Sequence, residues 1–239
     1  MLYVMSDIHG NQRRFDSVLQ QIHLQAQDTL YVLGDVIDRH PHGIALLQRL
    51  MDMPNVKLLL GNHEYMMLRA LGHPYDDHVD TGTALPHWYR NGGSVTHEHF
   101  LQLSAAEQER LLQHLLSLPL FYDVQCNGQR YKLVHATAPE DFAHNTDARY
   151  PNRFHFSLWK RWDTPELPRH DYTMVFGHTP TRHYQDCVPM TLYRQEGIIG
   201  IDCGSGYSEE KDNPNRPYGR LCCLRLDDGA EFYSTEEIE

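Results

Sequence analysis

The chain has few of the features that would suggest a disulfide-bonded protein. It has five cysteines, an odd number, and none of them forms a Cys-x-x-Cys pair. Cys222 and Cys223 are adjacent in a strand-like run, so their side chains are expected to point to opposite faces. We therefore predict reduced thiols and an intracellular, cytoplasmic protein.

Long apolar runs and excess positive charge are also missing. No apolar stretch approaches the roughly 18 residues of a membrane span. The first residues have no basic side chain and too short an apolar run for a signal peptide. The formal net charge is −11, from 21 basic and 32 acidic residues, which argues against duplex DNA or an anionic membrane as partner. A phosphate substrate remains compatible, because metals and local arginines would set the field in a site.

The chain is long enough for one sizeable domain. Its 239 residues are 41% hydrophobic, and no linker or internal repeat divides them, so residues 1–239 are interpreted as a single domain. Gly, Pro, His, Asp and Thr dominate residues 72–100, which predicts an insertion with one short helix near 84–91. We expect this insertion to lie over the site as a wall or lid; a surface loop without substrate contact is the alternative.

Three strand-like runs near the start of the chain alternate with helices. Residues 2–6, 30–33 and 56–60 are largely apolar, and apolar residues at helical spacing lie between them. This βαβαβ order predicts a parallel sheet, on which ligands collect at the carboxyl ends of the strands. Those ends carry the motifs Asp7-Ile8-His9-Gly10, Gly34-Asp35-Val36-Ile37-Asp38-Arg39 and Gly61-Asn62-His63-Glu64.

The second half of the chain is richer in strands. Asn127-Gly128 lies between the runs 120–124 and 129–134 and predicts a hairpin. Further strands are expected at 172–176, 198–202, 220–226 and 231–233. These segments predict a β-meander whose sheet packs on the first, with helices outside.

Two of these later strands also end on side chains that can bind a metal. The full set contains oxygen and nitrogen donors but no thiolate: Asp7, His9, Asp35, Asn62, His135 and His178. Such donors suit Mn²⁺, Fe, Zn²⁺ or Ni²⁺. They exceed the need of one catalytic ion, so we predict two ions about 3.5–4 Å apart. Asp35 would bridge them, with Asp7 and His9 on one ion and the other three ligands on the second.

In their order along the chain, these motifs resemble those of the calcineurin-like metallophosphoesterases. The blocks at 34–39 and 61–64 are similar to those of the phosphoprotein phosphatases, in particular the compact bacterial and phage serine/threonine phosphatases. Leu133-Val134-His135 and Phe176-Gly177-His178-Thr179 complete the set. The resemblance implies an α/β fold, a four-layer αββα sandwich of two mixed sheets. It also implies a dinuclear site, with manganese as the first expectation, at the carboxyl ends of the strands.

The resemblance implies roles for three further residues. A metal-bridging hydroxide would attack phosphorus directly, without a covalent phosphoenzyme. His63 would protonate the leaving oxygen, while Asp38 would hold the required tautomer of His63 and favour its charged form. Arg39 would bind two phosphoryl oxygens. The alternatives are a structural role for His63 and an ion pair confined to Asp38 and Arg39.

A second arginine is expected opposite Arg39. Arg161 is the candidate, and an arginine that packs on Trp159 or Trp162 is the alternative. Asn62 is expected to join both arginines in binding the substrate.

The sequence leaves the roles of three more residues undecided. Asp202 resembles a strand-end aspartate of the family and would either orient a ligand or be a buried turn carboxylate. His40 and His42 stand where the family usually has a glycine. They would border the groove or be solvated turn residues.

The motif set predicts a phosphomonoester hydrolase, a serine/threonine protein phosphatase of broad specificity. Its partners would be phosphorylated proteins, peptides or small phosphate esters, and a monomer is expected. A symmetrical diadenosine tetraphosphatase is the alternative; Glu64 favours the protein phosphatases, because the dinucleotide enzymes tend to carry Asp there. A cyclic-nucleotide phosphodiesterase fits less well, since Arg39 suits a terminal phosphoryl group. A non-catalytic scaffold that holds a partner through residues 72–100 would need neither His63 nor Arg39.

Overall fold

The computed structural model describes residues 1–73, 82–163 and 168–235. Its strands, β1 to β10, are Leu2–Met5, Thr29–Val32, Val56–Leu58, Phe121–Cys126, Gln129–Val134, Thr173–Phe176, Tyr193–Gln195, Ile198–Gly200, Cys222–Arg225 and Glu231–Tyr233. Its α-helices, α1 to α7, are Gln12–Ile22, Gly43–Met51, Asn62–Ala70, Ala84–Arg90, Ser94–Leu101, Ala105–Ser117 and Arg153–Trp159. Within these ranges, none of the helices has the length and apolar character needed to cross a membrane.

The first sheet has the strand order β10-β9-β1-β2-β3. β1, β2 and β3 are parallel, with Tyr3 opposite Leu30 and Leu30 opposite Val56, as the βαβαβ pattern predicts. β9 runs antiparallel to β1, so the sheet is mixed. Because three parallel strands end at one edge, the loops that follow them meet there.

The second sheet has the order β4-β5-β6-β8-β7 and corrects one expectation. The predicted hairpin β4–β5 is present, but the predicted β-meander is wrong, since β5, β6 and β8 are parallel neighbours. β9 and β10 leave this sheet and join the first one. β9 is buried on both faces, which suits a central strand, and strand patterning by itself does not say which sheet a strand joins.

The two sheets face each other across an apolar layer. Val4, Leu33, Leu133, Val175 and Ile199 meet in this layer. Alternate residues of the first sheet point the other way, onto α1, α2, α3 and α6. The outer face of the second sheet is covered by side chains of the segments that follow β5 and β6. The predicted fold class, an α/β sandwich of two mixed sheets, is confirmed.

Two segments contain more regular structure than the sequence predicts. Part of the predicted insertion, 74–81, lies outside the described residues; the predicted short helix is α4, and α5 follows it. α5 was missed because only Thr96 and Phe100 of its residues are buried, so its apolar periodicity is weak. The short strand β7 was missed as well.

All five cysteines are free, as the sequence predicts. Cys222 lies in the layer between the sheets, whereas Cys223 faces the helices. Adjacent strand residues therefore do point to opposite faces.

Leu133→Ala tests the layer between the sheets. Leu133 is fully buried, so its truncation should lower the free energy of unfolding by about 2–5 kcal/mol. Leu101→Ala is the matched control, because Leu101 is 64% exposed and should change the value by less than about 0.5 kcal/mol. Urea unfolding followed by tryptophan fluorescence measures both. Equal effects of the two substitutions would contradict the assigned core.

Candidate active site

The structure brings all six predicted metal ligands together at one edge of the two sheets. Asp7, His9, Asp35, Asn62, His135 and His178 follow strand ends or begin a helix, and all are buried. The loops after β1 and β2 continue to pair, since Asp7 N–H donates to Gly34 O at 3.1 Å. The two sheets are joined at this point, because His178 N–H donates to Asp7 Oδ2 at 2.9 Å.

Asp35 lies in the middle of these side chains. Its Oδ2 is 3.7 Å from His9 Nε2, and its Oδ1 is 3.5 Å from His135 Nε2. Ligands bound to one ion at 2.0–2.2 Å would be separated by about 3–3.6 Å, close to these spacings. Donor atoms of His9, Asp35 and His63 form one group, and those of Asp35, His135 and His178 form a second. This arrangement gives Asp35 the central position that a bridging ligand requires.

The tautomer of His135 makes the site fit a cation. His135 Nδ1 lies 2.7 Å from Leu33 O and must donate its proton there. Burial lowers the pKa of His135, so its other nitrogen, Nε2, carries a lone pair. That lone pair faces Asn62 Oδ1 at 2.9 Å. Two lone pairs at this distance repel unless a cation lies beside them.

The same reasoning applies to His9 and the two aspartates. His9 Nδ1 faces Ile37 O at 3.1 Å, which leaves Nε2 free to bind a metal. Burial raises the pKa of Asp7 to about 6 and that of Asp35 to about 7, the first also through the Asp35 charge. Buried carboxylates without a counter-charge are unfavourable, and a divalent cation would compensate them. The donor set therefore fits divalent metal ions.

The backbone of the site has an unusual conformation. Eight non-glycine residues of the described part have positive φ, and six of them are candidate site residues: Asp7, His9, Asp35, Asp38, Arg39 and His178. This left-handed conformation costs an ordinary residue about 1–2 kcal/mol. Such clustering is typical of functional sites, where surrounding contacts hold the backbone in place.

Glu64 supplies several of those contacts. Its Oε2 accepts from Asp35 N at 2.8 Å and Gly61 N at 3.1 Å. Its Oε1 accepts from Val36 N at 2.8 Å and Ile37 N at 3.3 Å. Glu64 is buried and turned toward the backbone of the Asp35 loop. It therefore holds the loop that presents the central ligand, which sequence reasoning did not foresee.

His63 and Asp38 form the predicted pair. His63 Nδ1 lies 2.6 Å from Asp38 Oδ2, and Trp88 Nε1 donates to the same oxygen at 2.8 Å. Thr96 Oγ1 accepts from Asp38 N at 2.9 Å. Trp88 and Thr96 were missed by sequence reasoning, although Trp88 stands out as an aromatic residue in a polar segment. Both come from residues 82–100, the described part of the predicted insertion beyond position 81, which thus supports the site.

Burial of this pair opposes the charged form of His63 that the sequence predicts. Burial lowers the pKa of His63 to about 3, with the Asp35 charge opposing and the Arg39 charge reinforcing the shift. Burial also raises the pKa of Asp38 to about 7. The sequence-based reasoning weighed the Asp38 charge and not the cost of removing both groups from water. In the protein alone, the neutral form of His63 is favoured.

Both candidate arginines reach the site. Arg39 Nη2 is 3.2 Å from His63 Nε2, and Arg161 Nε is 3.4 Å from His178 Nε2. The cation over the Trp162 ring is Lys160, at 4.4 Å, and within the described residues Arg161 makes no cation–π contact with Trp159 or Trp162. Arg39 and Arg161 thus border the ligand cluster from two sides.

The three residues whose roles the sequence leaves undecided, Asp202, His40 and His42, lie in different surroundings. Asp202 Oδ1 accepts from Gly204 N at 2.8 Å, the contact of a buried turn carboxylate. His40 lines a cavity together with Arg39, whereas His42 is exposed at the start of α2. His40 is therefore the one of the two that borders the groove.

The fold and the paired histidine–aspartate groups define the chain as a metallophosphoesterase, a class of metal-dependent hydrolases. Residues 1–201 match the family model of the calcineurin-like phosphoesterases. The chain belongs to this family, as its motifs predict.

Its relatives carry names of two different activities. Serine/threonine-protein phosphatase 1 of Salmonella typhimurium is 30% identical over 77% of this chain and 81% of that protein. The symmetrical bis(5'-nucleosyl)-tetraphosphatase of Acidovorax ebreus is 33% identical over 56% of this chain and 43% of that protein. The chain spans about half the length of the first curated relatives it matches. These relatives establish the family and not the substrate.

A solved structure shares the fold across the whole chain. The protein serine/threonine phosphatase of Saccharomyces cerevisiae aligns with a TM-score of 0.58, covering 100% of this chain and 80% of that one. At 15% identity, this likeness concerns the fold alone.

Glu64→Gln tests the support of the Asp35 loop. The amide keeps the size of the side chain but replaces one acceptor oxygen by a donor that would face backbone N–H groups. We expect about 2–4 kcal/mol lower stability and about 10- to 100-fold weaker Mn²⁺ binding. Urea unfolding and calorimetric titration measure the two effects. Glu109→Gln, on the exposed side of α6, is the matched control, and similar values for both variants would refute the assigned role.

Proposed function

We propose that the chain is a phosphomonoester hydrolase, specifically a serine/threonine protein phosphatase of broad specificity. The observation that carries the proposal is the position of Arg39, Arg161 and His63 beside the ligand cluster. A terminal phosphoryl group has free oxygens for two guanidinium groups and a leaving oxygen that needs a proton. A scaffold that only binds metal would need neither feature.

The metal ligands in this proposal are Asp7, His9, Asp35, Asn62, His135 and His178. Two divalent ions, with Mn²⁺ as the first choice and Fe, Zn²⁺ or Ni²⁺ as alternatives, would supply the charge that activates water and neutralises phosphoryl oxygens. Asp35 would be shared between them, in keeping with its two oxygens facing different histidines. His63 Nε2 also lies 3.8 Å from Asp35 Oδ2, so a role as a ligand is the rival assignment for His63.

The chain's own side chains would bind and orient the substrate. Arg39 and Arg161 would hold phosphoryl oxygens from two sides, and Asn62 would contribute its amide. His63 would give a proton from Nε2 to the leaving oxygen while Asp38 holds Nδ1. This step needs the charged form of His63. A phosphoryl dianion next to Nε2 would favour that form and oppose the effect of burial.

Symmetrical diadenosine tetraphosphate hydrolysis is the second candidate function. The tetraphosphatase relative supports it, with 33% identity over 139 residues. From the sequence, Glu64 favours the protein phosphatases over the dinucleotide enzymes. Because its carboxylate binds loop backbone, it does not read the substrate directly. The choice between the two functions therefore depends on the groove around the site.

We further propose a monomeric cytoplasmic protein that forms a single domain over residues 1–239 and binds neither duplex nucleic acid nor membrane. The net charge of −11 and the free cysteines support this setting. The 72–100 segment would form one wall of the substrate groove, as the contacts of Trp88 and Thr96 with Asp38 suggest.

A substrate panel tests the proposed function. Purified protein loaded with Mn²⁺ is given a phosphoserine peptide, a phosphotyrosine peptide, p-nitrophenyl phosphate and diadenosine tetraphosphate, and kcat/KM is compared. Highest values on the phosphoserine peptide are expected. A tenfold or greater preference for the dinucleotide would favour the second candidate. With bound metal confirmed, no turnover of any substrate would refute a hydrolase.

His63→Asn tests the proton donor. The variant should keep metal binding but lose about 100-fold or more in kcat on phosphate esters with poor leaving groups, which need protonation most. Activated aryl esters should lose less, so the dependence of kcat on leaving-group pKa should become steeper. His42→Asn, an exposed histidine at the start of α2, is the control. An equal loss on all esters together with lost metal would support the ligand role instead.

A further inference from the structure

A polar cavity extends from the candidate active site. It has a volume of about 660 Å³, within the range of ligand-binding cavities. Its lining consists of polar residues and glycines: Arg39, His40, Arg90, Asn91, Gly92, Gly206, Ser208, Glu209 and Glu210. Because Arg39 lies both in this lining and beside His63, the cavity adjoins the place where the phosphoryl group would bind.

The chemistry of this lining restricts what can bind. Proteins commonly hold a nucleobase by stacking it on an aromatic side chain or guanidinium plane. The lining has no Phe, Tyr, Trp or aliphatic side chain; its planar groups are the imidazole of His40 and the guanidinium groups of Arg39 and Arg90, and it carries charges of both signs. Such a surface suits an extended polar segment with charged groups, and the substrate comparison below separates it from a nucleotide.

Arg90 is an exposed cationic side chain of this lining that is available to a ligand. It is exposed at the end of α4, and no hydrogen bond or ion pair to its guanidinium occurs within residues 1–73, 82–163 and 168–235. The turn that follows it is fixed to the active site, since Arg39 N–H donates to Gly92 O at 3.1 Å. Arg90 therefore stands next to Arg39 on the same wall.

The opposite wall is also anchored. Glu209 accepts from Asn11 Nδ2 at 2.9 Å, and Arg14 Nε lies 3.7 Å from the same oxygen, Oε1. Arg14 Nη1 donates to Ser205 O at 2.8 Å and so ties the loop to α1. Glu209 is balanced by its neighbours, whereas Glu210 adds a negative charge to the lining, so an anion is attracted to the side of the cavity that carries Arg39 and Arg90.

We propose that this cavity binds the part of the substrate next to the scissile phosphoryl group, and that Arg90 receives a second anionic group there. This inference rests on the proposed function and narrows its substrate class. The substrate is a phosphopeptide with an acidic residue beside the phosphoserine or phosphothreonine. A second phosphate of a polyphosphate chain has similar chemistry, and the experiment distinguishes the two sources.

The test compares two phosphoserine peptides that differ only in Asp or Asn next to the phosphoserine. Binding to the Mn²⁺-loaded protein is measured by fluorescence anisotropy, and kcat/KM is measured separately. We expect the wild type to prefer the Asp peptide by about three- to tenfold. Arg90→Ala should bring this ratio close to one, and Arg90→Lys should retain part of it. Added salt should reduce the ratio in the wild type.

Arg110→Ala is the matched control, because Arg110 is an exposed arginine on α6 that pairs with Asp52. It should keep the wild-type ratio. The same ratio in wild type and Arg90→Ala would overturn the inference. So would a loss in Arg90→Ala confined to diadenosine tetraphosphate, which would assign Arg90 to a polyphosphate. Arg90-dependent binding without turnover of either peptide would support the subsite while refuting the proposed phosphatase activity.

Discussion

The active-site geometry depends on the buried carboxylate of Glu64. It accepts hydrogen bonds from the backbone N–H groups of Asp35, Val36, Ile37 and Gly61. Charge-assisted bonds of this kind are among the stronger contacts inside a protein. They compensate for the left-handed backbone of Asp35, which directs its side chain toward the histidines. Gly61 must lack a side chain here, because a Cβ would come within 2.3 Å of Asp35 Oδ1.

The ligand cluster also holds the two sheets together at one edge. Asp7 follows β1 of the first sheet, and its Oδ2 accepts from His178 N, which follows β6 of the second. Gly177 allows this approach, since a Cβ at that position would lie 2.3 Å from Asp7 Oδ2. The site thus concentrates buried negative charge and neutral histidines where strand ends from both sheets meet. Such an arrangement is unfavourable for the protein alone and favourable around divalent cations.

The family motifs do not decide the substrate, which depends on the groove beside the site. The family motifs build the ligand cluster, His63, Asp38 and Arg39, which would serve any phosphate ester. Glu64, which is expected from the sequence to favour the protein phosphatases, contacts the backbone and not the groove. The differences available to a substrate lie in the wall that carries Arg90 and in the loop that carries Glu209 and Glu210. The polar, charged lining of this groove supports the proposal of a peptide that carries a second anionic group.

The sequence by itself determined the parallel part of the first sheet and the candidate ligands. Periodicity identified β1, β2 and β3, and parallel strands must end at one edge, so Asp7, Asp35 and Asn62 had to lie close together. Only the tertiary structure decided where β9 and β10 pair, since residues 222–225 have the same apolar pattern in either sheet. It also decided that Trp88 and Thr96 hold Asp38 and that burial lowers the pKa of His63. These features depend on burial and on contacts between residues far apart in the chain, which local sequence patterns do not encode.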